Sequence, residues 1–97
     1  MWLDWSKYGY VIASEYRKKV IEALRFGPKT PKQIASETEL HLTHTSWTLG
    51  ELVVQGIVVC LTPQLRRGRL YQLTDEGIEI AEYIEKQSKG SLPHNRK

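Results

Sequence analysis

The chain has 97 residues, of which 40% are hydrophobic and 26% charged, with a formal net charge of +3. That length suits one domain and is too short for two, and a domain this small buries only roughly 60–65% of its unfolded surface, so help from a second copy is expected. No run approaches the roughly 18 apolar residues that cross a bilayer, and the opening MWLDWSKYGY lacks the basic-then-apolar order of a secretion signal, so a cytoplasmic protein is expected.

Residues 1–13 carry Trp2, Trp5, Tyr8 and Tyr10, interrupted by Gly9. Room for a short helix exists there, and so much aromatic area is costly to leave in water. The segment is expected to pack on the domain or on a second chain. Ser14 followed by Glu15 reads as an N-cap with an acid in the first turn. Tyr16, Val20, Ala23 and Leu24 then fall at helical steps and form a buried stripe. Gly27 and Pro28 end this helix. Thr30 and Pro31 read as N-cap and first residue of a short helix over PKQIASET, burying Ile34 and Ala35. After a turn around Leu40, a longer helix spans 42–55, with Thr45, Leu49, Leu52 and Val53 as its core stripe and Gly56 as its stop.

The period then changes. IVVCL is a strand, with Cys60 as a small buried residue. As the sole cysteine it excludes an intrachain disulfide and offers no zinc pattern. TPQLRRG is a loop, RLYQL a second strand, and Thr74 with Asp75 and Glu76 starts a last helix burying Ile80, Ala81 and Ile84. Residues 14–88 make the domain, and 89–97 a frayed basic tail. The order is α-α-α-β-β-α with an extra short N-terminal helix, an α+β fold. Two helices joined by a tight turn and followed by a hairpin predict a winged helix-turn-helix.

Charge is polarised along this order. Residues 62–73 hold Arg66, Arg67 and Arg69 and no acid, whereas 74–88 hold Asp75, Glu76, Glu79, Glu82 and Glu85 against Lys86. Such a molecule has a basic front and an acidic back. The acids of the last helix read as a solvated outer face.

The residues QIA, the leucines of helix 42–55, GIV and RGRLYQLTDEG, over about 14–84, resemble the winged helix-turn-helix transcription regulators. In particular they look like small archaeal members related to the multiple-antibiotic-resistance and arsenic-repressor types. The resemblance implies a homodimer on near-palindromic double-stranded DNA, with helix 42–55 in the major groove and the hairpin wing, 62–72, on phosphate or the minor groove. The chain departs from the pattern at Glu39, where glycine is common, at Thr45, where valine or isoleucine is common, and at Trp47, where an arginine is frequent.

On helix 42–55, Thr43, Trp47, Gly50 and Val54 lie opposite the core, with His44 and Ser46 on the flanks. Thr43, His44, Ser46 and Trp47 are the candidate base-reading residues, because hydroxyls and imidazole hydrogen-bond base edges. Thr43 alternatively caps the helix, and Ser46 is alternatively a solvated side chain. Arg66, Arg67 and Arg69 suit phosphate or a narrow minor groove, and Lys29, Thr30, Lys32 and Gln33 surround a helix start that suits a phosphate. The apolar strip Trp47, Gly50, Val54 supports another reading, an interaction module that binds a protein partner in a transcription or replication assembly. His41 and His44, with only Glu37 and Glu39 near, make no metal site. No triad, phosphate loop or carboxylate pair predicts an enzyme or a cofactor.

Overall fold

A computed structural model describes the backbone of residues 4–91 and side chains through Gln87. Trp2 and the last six residues of the expected tail lie outside the described residues. Helix α1 spans Trp5–Ile12, α2 Glu15–Leu24, α3 Pro31–Thr38 and α4 Leu42–Val54; strands β1 (Val58–Cys60) and β2 (Tyr71–Leu73) follow, then α5, Asp75–Ser91. The α-α-α-α-β-β-α order is the one the sequence predicts.

The helix starts are set by short polar side chains. Asp4 accepts from the amides of Ser6 and Lys7, Ser14 accepts from Arg17, and Thr30 and Gln33 form a reciprocal capping box with Pro31 at the first helical position. Each satisfies amides that a helix start leaves without an internal partner. Helix α3 ends on Glu39, whose backbone is left-handed at φ 61° and ψ 30°. This sharp reversal lets Leu40 turn inward and α4 begin two residues later.

One core holds the elements together. Val20, Ile21 and Leu24 of α2, Ile34 of α3, Leu49 and Leu52 of α4, Ile57, Leu73 and Ile80 are buried in it, with Val11 of α1. The N-terminal segment thus packs on the domain through Val11, Tyr8 and Tyr10. Trp5, Tyr8 and Tyr83 meet edge to face, with centroids 5.0–5.6 Å apart, and Lys7 Nζ donates to Glu76 Oε1 at 2.8 Å, so α1 is pinned to α5. Arg25 reaches Glu85 at 2.8 Å and joins α2 to α5. The acidic face of α5 is therefore not wholly solvated, because two of its carboxylates hold other helices.

Several sequence expectations change. Helix α4 stops at Val54, with Gln55 as its cap. Its core stripe is Thr45, Thr48, Leu49 and Leu52, while Val53 is 37% exposed. On a helical wheel Val53 sits roughly 90° from the centre of that stripe, and Thr48 within about 50°. Tyr16 is exposed and does not join the α2 stripe, whose apolar face turns to Ile21 instead. Cys60 is half-buried. The strands are shorter than IVVCL and RLYQL. Pro63 has no amide to donate, and Thr62 Oγ1 captures the Leu70 amide at 2.9 Å, so the chain opens into turns beyond the Leu61–Leu70 backbone bond. At the other end of the chain, α5 continues through Ser91, so residues 89–91 are helical.

β1 and β2 pair antiparallel, Val58 opposite Leu73 and Cys60 opposite Tyr71. On its other side Tyr71 bonds Lys29, with amide-to-carbonyl distances of 3.0 and 2.9 Å, and the residue before Thr30 becomes a third edge.

Candidate nucleic-acid interface

Helix α4 presents three exposed directions. Thr43, Trp47, Gly50 and Val54 face straight out, and Trp47 and Val54 are 68% and 83% exposed. Leu42 and Ser46 flank the strand side. His44 and Glu51 flank the α2 side. No side-chain hydrogen bond caps the helix start, so the Thr43 hydroxyl does not have a capping role. Thr45, where the resemblance expects an aliphatic residue, is fully buried, and its hydroxyl is satisfied by donating to the His41 carbonyl at 2.9 Å. Among the described residues a β-carbon on Gly50 would meet no atom within 4 Å, so none of them requires glycine there.

On the strand side a cleft of about 710 Å³ joins three elements: Thr30, Pro31 and Lys32 at the start of α3, Leu42 and Ser46 of α4, and Arg66, Arg67, Gly68, Arg69 and Tyr71 of the hairpin. The structure thus brings the three expected arginines to one concave surface with Lys32, Thr30 and Ser46. No ion pair with a carboxylate forms at Lys32, Arg66 or Arg67 among the described residues. Arg69 is partly occupied, because its Nε donates to the Leu65 carbonyl and closes the loop on itself.

Lys29 does not join this group. Its ammonium bonds Glu37 Oε1 at 2.6 Å, its side chain is only 18% exposed, and it lines a separate cleft of about 580 Å³ with Phe26 and Ile84. Thr30 and Gln33 use their oxygens on the capping box. Of the four residues expected at the start of α3, Lys32 alone carries an uncommitted charge into the cleft.

His44 is held from the α2 side. Its ring lies parallel to that of Tyr16, 4.0 Å between centroids and 4° between planes. Next to this stack Trp47, Arg17 and Glu51 help line a small cleft of about 220 Å³. Arg17 is anchored there, donating to the Tyr10 carbonyl at 2.8 Å with its guanidinium 3.8 Å from the Tyr10 ring centre.

Tyr16, Leu42 and Tyr71 are site residues that the sequence reading did not place there. Two were readable. Leu42 is four residues before Ser46 on the same helix flank, and Tyr71 stands two residues after Arg69, on one face of the strand that RLYQL predicts. Among the described residues no group of three His, Cys, Asp or Glu side chains stands close enough to hold a metal, and no helix is long and apolar enough to cross a membrane.

No protein-family model and no curated protein sequence matches the chain. Solved structures do. A double mutant of Lactococcus lactis ZitR superposes with a TM-score of 0.75 at 15% identity, covering 86% of this chain. The chain spans 57% of the ZitR length. The homodimeric winged helix-turn-helix DNA-binding domain of Mb0332 from Mycobacterium bovis, a possible ArsR-family transcriptional regulator, gives 0.74 at 21% identity, over 92% of this chain and 82% of its own. The fold is a winged helix-turn-helix. NMB1585, a MarR family regulator from Neisseria meningitidis, gives 0.73 at 24% identity, over 88% of this chain and 61% of its own. In the terms of this fold, α3 and α4 are the helix-turn-helix, residues 61–70 are the wing loop, and the isolated Lys29–Tyr71 bridge ties the two-stranded sheet to the residue before α3.

Proposed function

We propose that this winged helix is a homodimeric, sequence-specific double-stranded DNA-binding transcriptional regulator. The observation that carries the reading is the basic cleft, in which Lys32, Arg66 and Arg67 converge, without carboxylate partners, beside the exposed face of α4. Three like charges on one concave surface repel one another until an anion arrives. On this reading α4 enters the major groove, Thr43, His44, Ser46 and Trp47 meet base edges, and the wing holds phosphate or the minor groove. Lys32 and Thr30 lie against the backbone beside it. The neighbouring folds include regulators and a homodimeric DNA-binding domain, which supports the same class.

The test is the salt dependence of DNA binding. Changing Arg66, Arg67 and Arg69 together to alanine is expected to weaken binding to every sequence and to lower the log–log salt slope by about 2.7, since each of three phosphate contacts contributes about 0.9. An unchanged slope overturns the wing assignment. For the dimer, Trp5 remains 59% exposed beside Tyr83, and this α1–α5 face is the proposed contact. A monomer in sedimentation at micromolar concentration overturns that part.

A second reading rests on the outward strip of Trp47 and Val54, 68% and 83% exposed, which a protein partner would cover. Trp47→Arg separates the two. If Trp47 meets DNA, nonspecific affinity is kept or raised; if it anchors a protein, that complex is lost and DNA binding stays.

A further inference from the structure

We propose that Tyr16 is a positioning residue for base reading. By stacking on His44 it fixes the imidazole, so that sequence preference at the base pair facing His44 depends on a side chain that itself meets no base. The inference rests on the DNA-binding reading above and names a determinant of its specificity.

Tyr16 is the second residue of α2 and lies outside the core, 38% exposed. A tyrosine contributing only to packing would turn its ring into the helix bundle. Here the ring lies flat on His44, in a nearly parallel stack at 4.0 Å and 4°. His44 stands in the first turn of α4, the part of a recognition helix that reaches deepest toward base edges. An exposed histidine at a helix surface otherwise samples several rotamers. Stacking covers one ring face and leaves the ring edge, with its two nitrogens, as the hydrogen-bonding surface.

The distinction between bases and phosphate decides what such a device is for. A phosphate offers acceptors over a wide arc and is served by mobile side chains. A base edge offers one donor or acceptor in one direction. A ring held at a fixed angle therefore discriminates between bases. The opposite flank of α4 already supplies backbone attraction through Lys32 and the wing. On the His44 side Glu51 carries the opposite sign, and Arg17 is anchored on Tyr10, so a general phosphate trap is poorly served there.

The experiment is selection of bound sequences from random double-stranded DNA. It is run with the unaltered chain, Tyr16→Phe, Tyr16→Leu, Tyr16→Ala, His44→Ala, and the double variant Tyr16→Ala with His44→Ala. The unaltered chain and Tyr16→Phe, which keeps the stack, should enrich the same motif. Tyr16→Leu and Tyr16→Ala should lose about 3- to 10-fold of preference, the size expected for ordering one side chain. The loss should fall on the same position of each half-site that His44→Ala loses, and the double variant should add nothing to it. Tyr16→Leu keeps apolar bulk, so agreement between the two separates stacking from packing. The proposal is overturned by a loss spread evenly over all sequences, by an unaltered motif, or by additive effects in the double variant. A motif from the unaltered chain that Tyr16 variants leave intact sinks only this proposal. No motif from the unaltered chain sinks the base-reading function as well.

Discussion

Gly77, in the first turn of α5, lies so close under the carbonyl oxygen of Ile57 that a β-carbon would overlap it, and the Leu73 side chain closes the same space at 3.1–3.2 Å. Ile57 O also accepts from the Thr74 amide and hydroxyl, so this is the point where the hairpin base and α5 are clasped. A backbone carbonyl cannot swing away as a side-chain tip can. Gly77→Ala is therefore expected to lower unfolding stability by about 2–3 kcal/mol. Gly50→Ala, on open surface within a helix, should raise it by about 1 kcal/mol. Opposite shifts in denaturant midpoint check the pair; equal shifts refute the geometry.

Glu39 is the only non-glycine residue with positive φ among the described residues. A left-handed backbone costs a side-chain-bearing residue about 1–2 kcal/mol, part of which glycine gives back through its freer unfolded chain. Glu39→Gly should stabilise by about 0.5–1 kcal/mol. That is roughly 2–8 °C in melting temperature for a domain of this size. A lower melting temperature would count against the αL turn.

Two lysines three residues apart are expected to behave differently on DNA. Lys32→Ala should reduce the salt slope by about 1, whereas Lys29→Ala should leave it unchanged because Glu37 already holds that ammonium. If Lys29→Ala lowers the slope as much as Lys32→Ala, the ion pair opens on DNA and the assignment of Lys29 to the separate cleft does not hold in the complex.

Tyr83 receives two edge-to-face contacts, from Trp5 and Tyr8. Tyr83→Ala should cost about 1–2 kcal/mol and loosen α1, read as faster amide exchange over Trp5–Ile12. Unchanged exchange there would show that Val11 alone docks the helix.

Much of this was written locally in the sequence. Ser14, Thr30 and Pro31 announce helix starts through chemistry that acts within three residues, and the structure uses each of them. The alternation from helical spacing to β-branched residues at Val58 and Val59 marks the hairpin. What was not legible depends on neighbours far along the chain. Tyr16 has the spacing of a core residue, and only the approach of α4 reveals that its ring stacks on His44. Lys29 reads as a phosphate ligand until α3 folds Glu37 back onto it. Thr48 and Val53 exchange roles because the core lies slightly to one side of the direction that Thr45, Leu49 and Leu52 alone would fix. The arginines were legible as a group, but their meeting with Ser46 and Leu42 is a product of the hairpin's fold.

The bridge between Lys29 and Tyr71 has a mechanical consequence. Tyr71 lies at the root of the wing and Lys29 immediately precedes the start of α3, so two backbone bonds couple the parts that carry the arginines and Lys32. The root of the wing and the start of α3 are thus held together by main chain, whatever the side chains beyond them do. On the proposed reading this sets one dimension of the DNA-facing surface in the backbone rather than in side-chain rotamers. The width between the base of the wing and the helix-turn-helix is a property of the main chain, so a duplex that does not match it has to meet it by its own deformation.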